Sequence, residues 1–223
     1  MRLIIMVFCT SLFAASSVPV LLEHPDLPDI KSSVLSGALA FKQRCVSCHS
    51  LRLAGYDSVL RKQGLTVDIM PVHEPSAWQG HPPPDLSLVA RTRGADWIYT
   101  YLHSFYDDPS NPKGYNNLLM PNASMPAILS DLQGKLVRVD TELEIDGIPH
   151  PIHWFSYLKQ EKAGSMTPEQ YSLYVLDIVN FLDYVAEPYR SKREALGWKV
   201  ILFLLCFSLV ARLLYKSYWQ DLE

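Results

Sequence analysis

The chain has 223 residues, which leaves room for one domain with small appendages. Its formal net charge is −3 and it carries no tract of Lys or Arg, which argues against nucleic acid as a partner. Hydrophobic residues make up 48% of the chain, enough for a packed core and for some membrane-embedded sequence.

The N-terminus reads Met1-Arg2, then 13 apolar-dominated residues from Leu3 to Ala15, then the small residues Ser16 and Ser17. One positive charge, a short apolar stretch and a small-residue end describe a secretory signal, placed here at residues 1–16. The stretch is too short to span a bilayer, which takes about 20 residues. It lacks the Arg- and Ser-rich character of a mitochondrial transit peptide, so a bacterial periplasm is the expected destination. Of four cysteines, Cys9 falls in this signal and Cys206 in a C-terminal apolar run. Only Cys45 and Cys48 belong to the exported part, and a pair two residues apart is no disulfide scaffold.

Val34, Ala38, Phe41 and Cys45 repeat with a helical period, and Ser33 or Ser36 can cap the start of that helix. Gly37 on it lets another helix cross closely. The helix runs into Cys45-Val46-Ser47-Cys48-His49, the C-x-x-C-H attachment motif for a c-type haem. Two intervening residues let one helical turn present both sulfurs to the two haem vinyl groups, and the adjacent imidazole ligates the iron. The rival readings are half a zinc site, which lacks a second Cys pair, and a redox dithiol, which lacks a βαβ context. One covalent haem c is therefore expected on Cys45, Cys48 and His49.

A sixth ligand comes from elsewhere, and a methionine thioether suits electron transfer because it favours Fe(II). Met70, Met120, Met125 and Met166 are candidates; Met125 is preferred because Pro121 and Pro126 stiffen its loop. Pro82-Pro83-Pro84-Asp85-Leu86 is a rigid segment in which a carbonyl can accept the other ring N–H of His49, with Pro83 as its candidate site residue, or it is a simple extended linker. Arg91 or Arg93 can pair with a haem propionate, and either can equally be a solvated surface residue.

Further along, Trp97, Ile98, Tyr101, Leu102 and Phe105 predict a helix over 95–105, with His103 a surface or core residue and no ligand. Lys135 to Ile148 is β-branched and contains Asp146-Gly147, which predicts a small β-hairpin insertion. Its Asp140, Glu142, Glu144 and Asp146 form either a docking edge for a basic redox partner or a solvated face. Thr167-Pro168-Glu169-Gln170 is a capping box that opens a helix ending before Pro188. Residues 197–215 are 19 in number, with Lys199 and Arg212 near the ends and Trp198, Tyr215, Tyr218 and Trp219 around them, as a transmembrane anchor requires. The local Lys/Arg balance favours the preceding side in the cytoplasm, but a signal and a long exported domain override it. The expected layout is a periplasmic domain at 17–190, an anchor with flanks at 191–218 and a cytoplasmic tail at 219–223. Arg190, Lys192, Arg193 and Lys199 would then sit near lipid phosphates.

Four stretches in this order carry a resemblance to a known family: Cys45–His49, Pro83–Ser87 with Arg91–Arg93, Asn122–Pro126, and Phe181–Pro188 before a single C-terminal anchor. The chain resembles cytochrome c1, the haem subunit of the cytochrome bc1 complex, over roughly residues 20–220. The resemblance implies a mainly α cytochrome c fold with loop and hairpin insertions. It implies haem bound by Cys45 and Cys48, axial ligands His49 and Met125, and a propionate contact from Arg93. It also implies cytochrome b and a Rieske iron–sulfur protein as neighbours and a soluble or tethered c-type cytochrome as acceptor. The family often has Trp where this chain has Tyr184, and the segment from Leu51 to Trp78 is a looser match. Two other readings stand beside it: a membrane-anchored monohaem cytochrome serving another oxidase or reductase, and a haem sensor or peroxidase with an open sixth position.

Overall fold

A computed structural model describes residues 20–28, 31–74, 76, 82–139, 143–145 and 148–220. The expected signal at 1–16 lies outside the described residues. In chain order the elements are β1 (Val20–Leu21), α1 (Lys31–Arg44), α2 (Ser58–Lys62), α3 (Val89–Thr92), α4 (Ala95–His103), β2 (Phe105–Asp107), β3 (Tyr115–Asn117) and α5 (Ser130–Gln133). Then follow β4 (Gly134–Arg138), β5 (Leu143–Ile145), β6 (Ile148–His150), β7 (Ile152–His153), α6 (Trp154–Tyr157), β8 (Leu158–Ala163), α7 (Pro168–Ala186) and α8 (Arg190–Tyr218). The described chain is roughly half helical with small sheets, in agreement with the cytochrome c-like expectation.

The core is organised by the crossing of α1 and α7. Ala38 and Phe41 are fully buried on α1, as are Val175, Val179 and Phe181 on α7, and Val34 and Cys45 pack at the margin of the same cluster. The rings of Phe41 and Phe181 meet at 5.6 Å. Gly37 is the point of closest approach: a Cβ there would lie 1.9 Å from the Asp177 carbonyl oxygen and 2.7 Å from Phe181 Cβ. Ser33, one of the two candidate caps, lies buried inside α1 and donates its hydroxyl to Asp177. A Ser near a helix start serves equally well as a cap or as an interhelical donor.

α7 begins as its sequence dictates. The Thr167 hydroxyl accepts from Gln170 N, the Gln170 side chain accepts from Thr167 N, and Pro168 opens the first turn. α4 is anchored to α7 by the Tyr171 hydroxyl, which donates to the Leu102 carbonyl at 2.8 Å. His103 is core: it is 1% exposed, lies against Tyr99, Trp154 and Tyr171, and donates from Nδ1 to the Tyr99 carbonyl. α4 is shorter than predicted, because Phe105 leaves the helix and starts β2.

The strands differ from expectation. β4 pairs in parallel with β2 and antiparallel with β8, in a sheet of order β3-β2-β4-β8. The hairpin is confined to β5 and β6, with Ile145 opposite Ile148. The predicted segment 135–148 therefore divides between two sheets. The partner strand β8 reads Leu-Lys-Gln-Glu-Lys-Ala and is mostly exposed, so it lacks the apolar alternation that announces a strand. Gly134 makes the pairing possible: it has φ +93°, and a Cβ would lie 2.2 Å from the Lys162 carbonyl oxygen. Of the four acidic residues expected to form a docking edge or a solvated face, Asp140, Glu142 and Asp146 lie outside the described residues. The segment preceding α1 is stitched to the domain: β1 pairs with β7, Glu23 N donates to Thr100 Oγ1, and Trp154 Nε1 donates to the Glu23 carboxylate.

α8 is one helix of 29 residues, none of them buried. At about 1.5 Å per residue it is roughly 44 Å long, more than a hydrocarbon core of about 30 Å demands. Its first turn is tied back to α7. Arg190 forks onto Asp183 at 2.7 and 3.2 Å and donates to Glu187 at 3.2 Å, and Arg193 also binds Glu187. Two of the four cations expected at lipid phosphates are thus already engaged by carboxylates.

Replacing Gly37 by Ala forces α1 and α7 apart. Overpacking at such a contact costs ~3 kcal/mol. Thermal unfolding of the purified chain should show the loss, and Gly37→Ala with unchanged stability would contradict the crossing described.

Candidate functional site

The end of α1 continues as a helical turn through the C-x-x-C-H sequence. Cys45 N donates to Phe41 O, and Cys48 N and His49 N both donate to Cys45 O, at 3.0 and 2.8 Å. Cys45 and Cys48 therefore emerge on one turn, and both are free thiols. Burial pushes the Cys45 thiol up to about 12, with Cys48 adding to the effect.

His49 is oriented by the segment 82–87. Its Nδ1 lies 2.9 Å from the Pro84 carbonyl oxygen. A carbonyl only accepts, so Nδ1 carries the proton and Nε2 keeps its lone pair. The accepting carbonyl is that of Pro84, not of Pro83 as the sequence suggested. Any of the three prolines could present a carbonyl, and only the register against 49–53 chooses among them. Burial holds the His49 pKa below its usual value despite the Pro84 hydrogen bond, which favours the neutral imidazole that a metal requires.

That register is set by Asp85, to which the sequence alone assigned no role. Its carboxylate accepts from Ser50 Oγ at 2.7 Å, Arg52 N at 2.8 Å and Ser87 N at 2.8 Å. Leu86 N donates to Ser50 O, and Leu53 N to Ser87 Oγ. Partial burial alone would raise the Asp85 pKa, but these hydrogen bonds together hold it below the usual carboxylate range. On the other side His73 Nε2 donates to the Cys48 carbonyl at 2.6 Å.

The methionine candidates separate clearly. Met70 is 4% exposed, and its sulfur accepts from Leu51 N at 3.2 Å, so it braces the segment after His49. Met166 packs at the margin of the main core and Met120 is exposed. Met125 is half-buried in a cluster with Trp97, Tyr101, Leu102 and Phe105. Trp97 and Leu102 belong both to this cluster and to the margin of the main core, where Cys45 also packs.

Arg93 lies at the head of this aromatic ridge. Its guanidinium is 5.0 Å from the Trp97 ring centroid; Trp97 stacks on Tyr101 at 4.7 Å, and Tyr101 meets Phe105 edge-on. Trp97 and Tyr101 lie one turn apart on α4, and the contacts of Arg93 and Phe105 extend that ridge beyond both ends of the helix.

The loop bearing Met125 is held by residues that carried no signal beyond a turn-rich composition. Asn117, 1% exposed, accepts at Oδ1 from Leu119 N and Met120 N and donates from Nδ2 to Tyr101 O. Asn116 Oδ1 accepts from Asn122 N at 2.8 Å.

The residues of the C-x-x-C-H turn suit a covalent haem, with two thiols on one turn and an imidazole whose Nε2 keeps its lone pair; Met125 and the aromatic ridge form a separate cluster. Among the described residues no three or more His, Cys, Asp or Glu side chains gather.

Fold and site together define the class as a cytochrome c-like domain carried on one C-terminal anchor helix. The sequence pattern of the Cytochrome C1 family matches residues 158–222. Cytochrome c1 of Allochromatium vinosum is 38% identical over 217 residues, covering 89% of this chain and 87% of that protein. A protein of Nitrosomonas europaea named ammonia monooxygenase gamma subunit is 35% identical over 212 residues, covering 86% and 85%. The mitochondrial cytochrome c1 heme protein of Saccharomyces cerevisiae is 24% identical over 234 residues, covering 86% and 68%. This chain belongs to the cytochrome c1 family.

The Asp85 hydrogen bonds carry a pH signature. Its folded pKa is depressed, so its stabilisation is complete above the unfolded aspartate value of about 3.9. It is lost as pH falls through the lower folded value. Urea midpoints of wild type and Asp85→Asn should differ at neutral pH and converge in acid. A gap that stayed constant down to the lowest pH would refute the assignment.

Proposed function

We propose that this chain is the haem-bearing electron-transfer subunit of a quinol–cytochrome c oxidoreductase, the cytochrome bc1 complex. It would take electrons from a Rieske iron–sulfur protein and pass them to a soluble or tethered c-type cytochrome. The observation that carries this reading is the His49–Pro84 hydrogen bond, which leaves the lone pair on Nε2 of the C-x-x-C-H histidine available to a metal. It sits in a chain whose family has that role.

Cys45 and Cys48 would hold the haem through thioether bonds to its two vinyl groups. His49 Nε2 and Met125 Sδ would ligate the iron, and Arg93 would pair with a propionate. When bound, the haem supplies a one-electron Fe(III)/Fe(II) couple. The residues on this chain hold, orient and partly dehydrate it: Pro84 fixes the imidazole tautomer, and the Trp97–Tyr101–Phe105 ridge keeps water from one side. The chain alone makes and breaks no substrate bond; the reductase activity belongs to the complex. α8 anchors it beside cytochrome b in a bacterial inner membrane, with the haem domain in the periplasm. Residues 191–218 form the anchor with its flanks, and 219–223 form a cytoplasmic tail.

A second reading rests on the Nitrosomonas relative, whose name assigns it to an ammonia monooxygenase. The two bacterial relatives are nearly equal in identity and coverage. Affinity purification of the chain from gently solubilised native membranes separates the readings. A dihaem cytochrome b and a Rieske protein in equal amount, with quinol-dependent haem reduction, is the expected result. Co-purification with monooxygenase subunits, or with no partner, would move the function to another complex.

The ligand assignment is tested separately. In Met125→Leu the reduced haem should bind carbon monoxide, the ferric Met–iron charge-transfer band should vanish and the midpoint potential should fall. An unchanged spectrum and unchanged carbon monoxide reactivity would remove Met125 from the iron.

A further inference from the structure

The backbone immediately before Met125 is gripped by one neighbouring segment, residues 111–117. Lys113 Nζ donates to the Ala123 carbonyl at 2.9 Å and to the Asn122 carbonyl at 3.3 Å. The Tyr115 hydroxyl donates to the Ser124 carbonyl at 3.4 Å. Asn116 Oδ1 accepts from Asn122 N at 2.8 Å, and Asn111 Nδ2 donates to Asn122 Oδ1 at 3.3 Å. Three successive carbonyls and one amide upstream of the methionine are thus tied down by side chains.

The grip is itself anchored. Asn116 Nδ2 donates to Asp108 Oδ2 at 2.9 Å, and the Asp108 carboxylate also accepts from Ser110 N and Oγ. Those hydrogen bonds, from Ser110 first and then Asn116, hold its pKa below the usual range, so it is an anion at any working pH. Asn122 has φ +61°, a left-handed conformation that Asn tolerates but that an unsupported loop would not keep fixed.

We propose that Lys113 and Asn116 are positioning residues that press the Met125 thioether onto the haem iron and so set the reduction potential. This rests on the reading of Met125 as the sixth ligand. Neither residue touches the iron; both act through the loop. A thioether is a weak ligand, and whether it stays bound depends on how much conformational freedom its loop must lose. Side chains that immobilise the loop beforehand lower that cost. Lys113 suits the task because an ammonium carries three donors and can serve two carbonyls at once. Asn116 suits it because its amide accepts on one side and donates on the other.

The test uses holoprotein in the intact membrane complex, with three readouts: midpoint potential, the ferric Met–iron charge-transfer band and carbon monoxide binding by the ferrous haem. Lys113→Met and Asn116→Ala should each lower the potential, weaken the band and admit carbon monoxide, well below the unfolding temperature. Lys113→Arg keeps two donors for the same carbonyls and should restore all three. Asn116→Asp keeps the acceptor for Asn122 N but sets a second carboxylate against Asp108, and should fall between Ala and wild type. Met125→Leu is run alongside. If it changes all three readouts while Lys113→Met and Asn116→Ala change none, the positioning role is overturned and the ligand stands. A lowered melting temperature with wild-type potential would assign both residues a structural role only, and would equally overturn the proposal. If Met125→Leu itself changes nothing, the ligand reading fails first and the positioning role with it.

Discussion

The absence of one side chain, at Gly37, governs how the rest of the domain is assembled. Because nothing projects there, the Asp177 carbonyl can lie against α1, and the aromatic pair Phe41–Phe181 closes the contact one turn further on. α1 cannot slide or rotate on α7 without driving Ser33 off Asp177 and Phe41 out of its pocket. The turn that carries Cys45, Cys48 and His49 grows directly from the end of α1, so its location is inherited from that crossing. α4 is placed by the same helix α7, through Tyr171 and the buried His103. The two sides of the candidate site, the C-x-x-C-H turn and the aromatic ridge, are thus referred to one common element.

On that frame the polar connections have a division of labour. Residues 84–87 are laced to 49–53 by Asp85, Ser50, Ser87 and the Pro84 carbonyl, and this fixes the imidazole. Residues 111–117 are laced to 119–124, and this fixes the loop of the thioether. In both places a rigid or strained backbone is held by Asn, Asp, Ser or Lys side chains instead of by strand pairing. Such local hydrogen bonding suits segments that must present an atom in one direction without forming regular structure.

How much of this was legible beforehand followed from how local each signal is. The capping box at Thr167, the termination before Pro188, the apolar face of α1 and the long apolar helix at the C-terminus are encoded within a few residues, and the observed elements match them. C-x-x-C-H is equally local. What escaped was determined at a distance. β4 pairs with the charged strand β8 more than twenty residues later, so no alternation revealed the sheet. The choice of Pro84 over Pro83 depends on register against a segment 35 residues away. Asn116 and Asn117 look like ordinary turn residues, because the groups they bind are partly on the far side of the loop and partly at the end of α4.

The junction between α7 and α8 leads to a different kind of consequence. Only Glu187, Pro188 and Tyr189 separate the two helices, and Asp183 and Glu187 hold Arg190 and Arg193 across that gap. Pro188 supplies the break without supplying a hinge, since its ring fixes φ and the ion pairs bind the helix on either side. Ion pairs therefore bridge the break between the last core helix and α8, and the angle at which the long apolar helix leaves the domain depends on the two carboxylates at 183 and 187.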